Sequence, residues 1–576
     1  MSYFVADNKI NIEQQSVAVP SVNGLSYNPG QLIELKIDPA QVKFFQPKNS
    51  YLQFNVKLQM PTEASGAVSK FLLDSHIGAQ ALIKDIRIQD GSNNALLEEK
   101  VGYNISTMLK YDYHCNDSLR NKRALTEGAG GRVTPHGQLG TRQSWQNSHK
   151  MGYVVNDEEG ATRQSALKNA SYTNCKVCLP LNTGIFQNDK VFPCMLTNGL
   201  RIQILLEDAD KVCRMAEGVM FKRKRKLNPY FHSHNGSLTN TSGSMVNGTD
   251  YTEFFITQDN GYLDPASLPF AVGEKIAFVK QVANGGVGDG VFVGSTPAIT
   301  ISKIEFVSGF NLLKLTTNSF TPDTTIPTNQ NGSHILVSQS VEGQSSYNMT
   351  YEVSDVDLVL QKLDMGANYE GDMLRRMREG GTINYDFLSM TNYRYSQLST
   401  DLVAQIQLPI ENRRMKSVIC VPTDSSVYTN KQILQASGTY EITTGEFQDR
   451  PGLAGISDNL QTYQFTYDGR LQPSRLVDCS KTSSKTSVSQ QHLIELEKAL
   501  TSAGISGQSM LEFNNNFVIG RAVAVQGGVY DARNRQFSLN VNYTGASAPT
   551  KNKLWNNFVF HIRRLTISGD NISVEV

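Results

Sequence analysis

The 576 residues (63.7 kDa) are too many for one ordinary domain and enough to bury a large core without disulfide or metal staples. Hydrophobic residues make up 39% and charged residues 19%, with Asn, Ser, Thr and 45 glycines prominent, which excludes a disordered chain and favours a β-rich fold with long polar loops. Charge is balanced, 54 Lys+Arg against 53 Asp+Glu, unlike a protein whose main task is gripping a phosphate backbone.

Met1 to Gln15 is polar and lacks the apolar core of a signal peptide, and Ser2 excludes myristoylation. No apolar run reaches the roughly 18 residues needed to cross a bilayer. The first clear element is Tyr51 to Met60, where Leu52, Phe54, Val56 and Leu58 alternate with polar residues as in a half-buried strand. Glu98 to Tyr111 carries Val101, Ile105, Met108 and Leu109 at helical spacing and reads as a helix. A polar stretch, 126–150, follows as a long loop.

Cys175 and Cys178 form a lone C-x-x-C. Neither Cys194 nor Cys213 supplies a second ligand pair at zinc-site spacing, so these read as ordinary thiols. Seven cysteines spread over the chain fit a reducing compartment. The basic run Lys222-Arg223-Lys224-Arg225-Lys226 reads as a solvated loop flank beside Asn228 and Pro229. Leu227 to Asp250, Asn284 to Thr296 and Thr316 to Ser333 are long polar stretches. Ile299, Ile301, Ile304 and Phe306 give the region 250–345 small strands of its own.

Val356, Leu358 and Leu360 alternate with Asp355 and Asp357, a further strand. A short helix is predicted over Gly371 to Glu379, stopped by Gly380-Gly381. A second is predicted over Gln491 to Ser502, with Leu493, Leu496 and Leu500 on one stripe and Gly504 as its stop. Phe537, Leu539, Val541 and Tyr543, then Leu554 to Ile567 with Phe558, Phe560 and Ile562, close the chain as strands. Helices do not alternate with strands, so a parallel α/β fold is excluded.

The chain carries no P-loop, no H-E-x-x-H and no G-x-S-x-G. His232 and His234 sit in a polar loop. Gly285 to Gly290 reads as a hairpin tip rather than a dinucleotide site. Asp355 and Asp357 share a solvent face. The sequons at Asn235, Asn240, Asn247 and Asn348 report loop composition. No catalytic, cofactor-binding or metal-binding residue is assigned, and no enzymatic activity is expected.

Three stretches carry a resemblance. Leu179 to Phe186 (LPLNTGIF) followed by Leu196 to Glu207 (LTNGLRIQILLE) is one. Tyr351 to Leu363 (YEVSDVDLVLQKL), Gly371 to Glu379 (GDMLRRMRE) and Ile383 to Phe387 make the second, and Phe558 to Val576 the third. In order, they resemble the major capsid proteins of the double jelly-roll lineage of virophages, polinton-like viruses and nucleocytoplasmic large DNA viruses. Ser568-Gly569 departs by about a residue from the large-virus pattern, so the smaller viruses are the nearer likeness.

The resemblance implies an all-β fold of two tandem jelly-roll barrels with long loop insertions and a few short helices. It divides the chain into a first jelly roll at 23–367, with surface insertions near 112–170 and 220–348, and a second at 368–576; residues 1–22, polar and without clear periodicity, read from their terminal position and composition as an N-terminal arm lying inside the shell or lacing neighbours. It implies a major capsid protein of an icosahedral double-stranded DNA virus, made in the host cytoplasm and residing in the virion shell. A homotrimer would form a pseudo-hexameric capsomer that contacts neighbouring capsomers, penton proteins and minor or cement proteins, without specific nucleic-acid binding. Whether an inner membrane is present stays open. The alternatives are a viral spike or carbohydrate- or receptor-binding protein, and a β-sandwich hydrolase with two acidic residues in a cleft.

Overall fold

The computed structural model describes residues 12–59, 71–72, 77–92, 94–114, 123, 126–127, 174–212, 214–215, 227–230, 244–258, 275–281, 289–293, 295–307, 312–327, 334–338, 350–425, 439–441, 453, 455–479, 490–505, 517–525, 527–545, 548–568 and 571–575.

The first barrel is built from eight main strands: β1 (Glu13–Pro20), β2 (Leu32–Ile37), β3 (Phe44–Gln59), β4 (Ile83–Asp90), β5 (Leu96–Val101), β6 (Asn174–Leu179), β7 (Leu200–Leu206) and β8 (Thr350–Asp364), with the two-residue strand Ser26–Tyr27 also paired to β8. Helix α1 (Tyr103–His114) lies between β5 and β6, and α2 (Ala367–Arg378) follows β8. The second barrel has β9 (Ile383–Gln397), β10 (Val403–Leu408), β11 (Met415–Asp424), β12 (Thr462–Tyr467), β13 (Arg470–Asp478), β14 (Ile519–Ala522), β15 (Phe537–Asn542) and β16 (Lys553–Ser568). Helix α3 (Gln490–Ser502) precedes β14, and a last strand, β17 (Asn571–Glu575), pairs with β16.

Strand order defines the fold. Barrel 1 pairs as β1-β8-β3-β6 in one sheet and β2-β7-β4-β5 in the other. Barrel 2 pairs as β9-β16-β11-β14 and β10-β15-β12-β13, so each of its strands takes the place of the strand numbered eight lower. All pairings are antiparallel, and this order is that of a jelly roll.

Where a sheet has one free face, the side chains alternate as the sequence predicts. In β10, Ala404, Ile406 and Leu408 are buried and Val403, Gln405 and Gln407 exposed. In β7, Leu200, Ile202, Ile204 and Leu206 point inward. Leu52, Phe54 and Val56 of β3 do the same, as do Val356, Leu358 and Leu360 of β8. Strands β11 and β16 differ. Both are buried on two faces over most of their length, because one face of their sheet lines barrel 2 and the other packs on neighbouring elements. Trp555 and Val559 belong to the core of barrel 2, whereas Phe558 and Phe560 join a core continuous with barrel 1.

Three expectations need correction. Residues Glu13–Pro20, read as part of an N-terminal arm, form edge strand β1, hydrogen-bonded along β8 from Glu13↔Asp364 to Pro20↔Asp357. Only Val19 is fully buried there, so periodicity is faint and backbone pairing carries the strand. Residues 1–11 lie outside the described residues. The helix read over Glu98 to Tyr111 starts later: Leu96–Val101 is β5, and Gly102, at φ 74°, makes the turn into α1. Ile105, Met108 and Leu109 are its buried stripe. In α3 the inward face is His492, Glu495, Leu496, Ala499 and Leu500, while Leu493 is 46% exposed. Gly504 (φ 73°) ends α3, and Gly380 (φ 83°) follows α2.

The N-terminal strand yields a prediction. Deleting residues 2–20 removes the β1 pairing and the Val19 contact and bares the edge of the 15-residue β8. Thermal melting should show barrel 1 weakened by roughly 2–4 kcal/mol. An unchanged melting curve would mean that β1 contributes nothing to the barrel.

The connections are unequal. In a jelly roll, the β1–β2, β3–β4, β5–β6 and β7–β8 connections share one end of the barrel, and the alternate ones share the other. At the second end the links are shorter: 38–43, 91–95 and 180–199 in barrel 1 and 409–414, 468–469 and 523–536 in barrel 2. The long excursions, 102–173, 207–349, 425–461 and 479–518, all belong to the first end.

Within 207–349, the chain builds a sheet in the order Leu227–Tyr230, Tyr251–Gln258, Leu312–Pro322, Ile299–Val307, Lys275–Gln281 and Asp289–Val293. Ile299, Ile301 and Phe254 are buried in it. Its next strand, Thr439–Glu441, comes from the β11–β12 connection of barrel 2, with Asp289↔Glu441 and Val291↔Thr439 as register partners. Excursions from both barrels therefore share one sheet, which holds the long-loop ends of the barrels on the same side.

Candidate assembly interface

The barrels meet along a polar and aromatic seam. Barrel 1 contributes β5 and the β6–β7 connection; barrel 2 contributes β9 and β16. The centre of the seam is Glu98, 1% exposed. A buried carboxylate must be supplied with donors. Its oxygens accept from the amides of Gly184 (2.6 Å) and Ile185 (2.9 Å) in its own barrel and from the Ser389 hydroxyl (3.2 Å) on β9.

Flanking contacts repeat the pattern. Arg563 on β16 donates to the Leu97 carbonyl (2.9 Å), and Asn392 on β9 donates to the Val101 carbonyl (3.1 Å). Asn188 donates to the Asp386 carbonyl (2.9 Å), and the Tyr385 hydroxyl donates to that of Lys190 (3.2 Å). The Tyr385 ring stands edge-on to Phe192 at 5.2 Å. Arg394 approaches Asp85 at 3.8 Å. Burial lowers the pKa of Arg563, and the nearby Glu98 and Glu99 oppose that. Gly184 is required for the close approach: a Cβ there would stand 2.3 Å from the Leu388 carbonyl oxygen.

Barrel 2 is tied further by charge. Arg564 forms a two-pronged pair with its register partner Asp386 (2.6 and 2.7 Å), which holds that carboxyl below its usual range. Arg413 reaches Glu575 at 3.1 Å and so fastens β17.

The residues weighed for chemistry do not assemble. Among the described residues, no three His, Cys, Asp or Glu side chains gather as metal ligands. Cys178 is half-buried on β6; Cys194 is buried, its thiol pushed up to about 12. Asp355 stands at a bulge in β8 with φ 51° and accepts from Asn55 (2.7 Å), so it is a strand irregularity on the surface. Asn247 is exposed and donates to the Asp323 carbonyl. Asp289 and Gly290 lie in the strand Asp289–Val293, the return arm of a hairpin. Lys222 to Lys226, His232, His234, Cys213, Gly285 to Gly288, Asn235, Asn240 and Asn348 lie outside the described residues. No described helix is long and apolar enough to cross a membrane.

The quoted resemblance segments fall on this architecture. LPLNTGIF carries the Gly184 and Ile185 amides that bind Glu98, LTNGLRIQILLE holds β7, and YEVSDVDLVLQKL lies within β8. Sequence reasoning missed the seam itself. Its only local trace was the acidic pair Glu98-Glu99 beside apolar Leu96-Leu97.

No protein-family model and no curated protein matches the sequence. Solved structures do. One is the crystal structure of PBCV-1 VP54 fitted into a cryo-EM reconstruction of the virophage Sputnik, at 9% identity and TM-score 0.46, covering 99% of this chain and 98% of that one. Another is the Faustovirus major capsid protein, at 8% identity and TM-score 0.46, covering 98% and 93%. A third is the mavirus major capsid protein, at 8% identity and TM-score 0.34, covering 97% and 90%. By the strand order of both its barrels, the chain is a double jelly-roll protein, and the structures it is similar to are viral major capsid proteins.

Proposed function

We propose that this chain is the major capsid protein of an icosahedral double-stranded DNA virus, a structural subunit without enzymatic activity. One observation carries the reading: two barrels of identical strand order are locked side by side, with all their longest excursions at one end and shorter links at the other. Such a unit is a plate element with a plain floor and an elaborated outer side. The excursions at 102–173, 207–349 and 425–461 belong to the outside of the shell, and the shorter links face inward.

Three such chains place six barrels in a ring and give a nearly hexagonal capsomer, able to tile a flat facet. Its partners are two further copies, neighbouring capsomers, a penton protein and minor or cement proteins. Near-zero net charge limits repulsion among many copies. The chain is made in the host cytoplasm and resides in the virion shell.

Light scattering on the purified protein, with negative-stain images of the same fraction, tests this. The expected mass is three times 63.7 kDa, with roughly hexagonal outlines. A monomer, or a trimer with an elongated outline, overturns the capsomer reading.

A further inference from the structure

Two lysines and two aspartates crowd together where β11 gives way to the connection that leads to β12. Lys553 opens β16 and Asp424 ends β11. They are register partners in the β11–β16 pairing, so their side chains stand next to one another on one face of the sheet. Lys551, partly exposed, approaches Asp424 at 3.9 Å. Asp458 enters from the connection, and its Oδ2 lies 2.7 Å from Lys553 Nζ. That nitrogen also donates to the Lys551 carbonyl (2.8 Å), and the buried Tyr543 ring faces it at 4.6 Å. The side chains of Lys553 and Asp424 are fully buried, and that of Asp458 nearly so.

An ammonium and a carboxylate shut away from water lose hydration that their mutual attraction offsets only in part. Here the carboxylate is also held asymmetrically. Its Oδ1 accepts from the Thr550 amide (2.9 Å) and hydroxyl (2.8 Å). Its Oδ2 accepts from the Lys551 amide (2.9 Å), at longer range from the Thr550 amide (3.1 Å), and faces Lys553. One oxygen thus sits between two fixed donors, the arrangement that stabilises an oxyanion, and the other is presented to an amine.

We propose that Lys553 and Asp458 condense into an intramolecular isopeptide bond, a covalent clasp between the start of β16 and the β11–β12 connection. The Lys553 ammonium first passes a proton to Asp458 Oδ2, which leaves a neutral amine beside a neutral carboxylic acid. The amine lone pair then forms the Nζ–Cγ bond, and negative charge collects on Oδ1 between the two Thr550 donors. A second lysine proton moves to Oδ2, the Cγ–Oδ2 bond breaks, and Oδ2 departs as water. Asp424, beside Lys553, carries that second proton. One ammonium and one carboxylate become one amide and one water, so two charges leave a dry site and no oxidant or cofactor is consumed. In the product Oδ1 keeps both Thr550 donors. The clasp lies within one chain and does not depend on the capsomer reading.

Intact-mass spectrometry of the denatured full-length protein reads the bond directly. The wild type should weigh one water less than its sequence, and digestion should release a branched peptide that joins Lys553 to Asp458. Lys553→Arg and Asp458→Ala should each regain the full sequence mass. Asp424→Asn should carry the bond in a smaller fraction of freshly made protein than the wild type does. Since the wild type alone decides the main question, a variant that fails to fold leaves the test intact. A wild type at its full sequence mass overturns the proposal, as does a missing water that fragmentation traces to an aspartyl succinimide elsewhere in the chain. A wild-type bonded fraction in Asp424→Asn overturns the assigned proton carrier.

Discussion

Replacing Glu98 by Ala should cost about 3–5 kcal/mol and loosen the two barrels from one another. The substitution strips the Gly184 and Ile185 amides and the Ser389 hydroxyl of their acceptor in a site closed to water. It also leaves the half-buried Arg563 with Glu99 alone as a nearby negative charge. Glu98→Gln keeps an amide oxygen at the same place and should recover part of the loss. The measurement is denaturant unfolding, with limited proteolysis to report whether the barrels separate before they unfold. If Glu98→Ala unfolds as the wild type does, the seam is not the fastening that its geometry describes.

Acid should weaken the second barrel as the pH falls from 7 to 5. His492 is fully buried against Phe517, with rings stacked at 5.3 Å, and edge-on to Tyr463 at 5.4 Å. Burial lowers its pKa to about 4, against a hydrogen bond with the Val518 backbone that acts the other way. His561, 1% exposed, contacts the Thr391 hydroxyl at 3.1 Å; burial and the neighbouring Arg563 lower it to about 3.

Both imidazoles are therefore neutral when folded and take up a proton near pH 6.5 when unfolded. Their contribution to stability is whole above pH 6.5 and falls with pH down to about 4 for His492 and about 3 for His561. At pH 5 the loss is about 2 kcal/mol for each. A melting series from pH 7 to pH 5 should show the fall, and His492→Phe should flatten it by about half. A melting temperature independent of pH across that range would refute it.

Much of the local structure was legible in the chain. Period-two alternation located β3, β8, β15 and β16, and helical spacing with a glycine stop located α3. The order of three short segments pointed to tandem jelly rolls, and the strands of both barrels have that order. Other elements escaped for identifiable reasons. Strand β1 buries one side chain fully, so no pattern marks it; its partner lies in residues 357–364, far along the chain. Leu96 to Val101 merged with α1 because Val101 fell in step with the helical stripe, and only the positive φ of Gly102 separates them. His492 took the inward place that Leu493 was expected to fill, since two aromatic rings offered it a stacked site.

Sequence alone thus determined which residues alternate, where helices stop, and that the chain is all-β with long polar excursions, because each of these depends on neighbours a few residues away. Tertiary structure decided which strands pair, how Glu98 finds donors from two barrels, why β11 and β16 are buried on both faces, and that excursions from both barrels share one sheet. Those outcomes join residues hundreds of positions apart, such as Arg563 and Leu97. The backbone groups and buried charges that drive them look alike in any strand until a particular partner satisfies them.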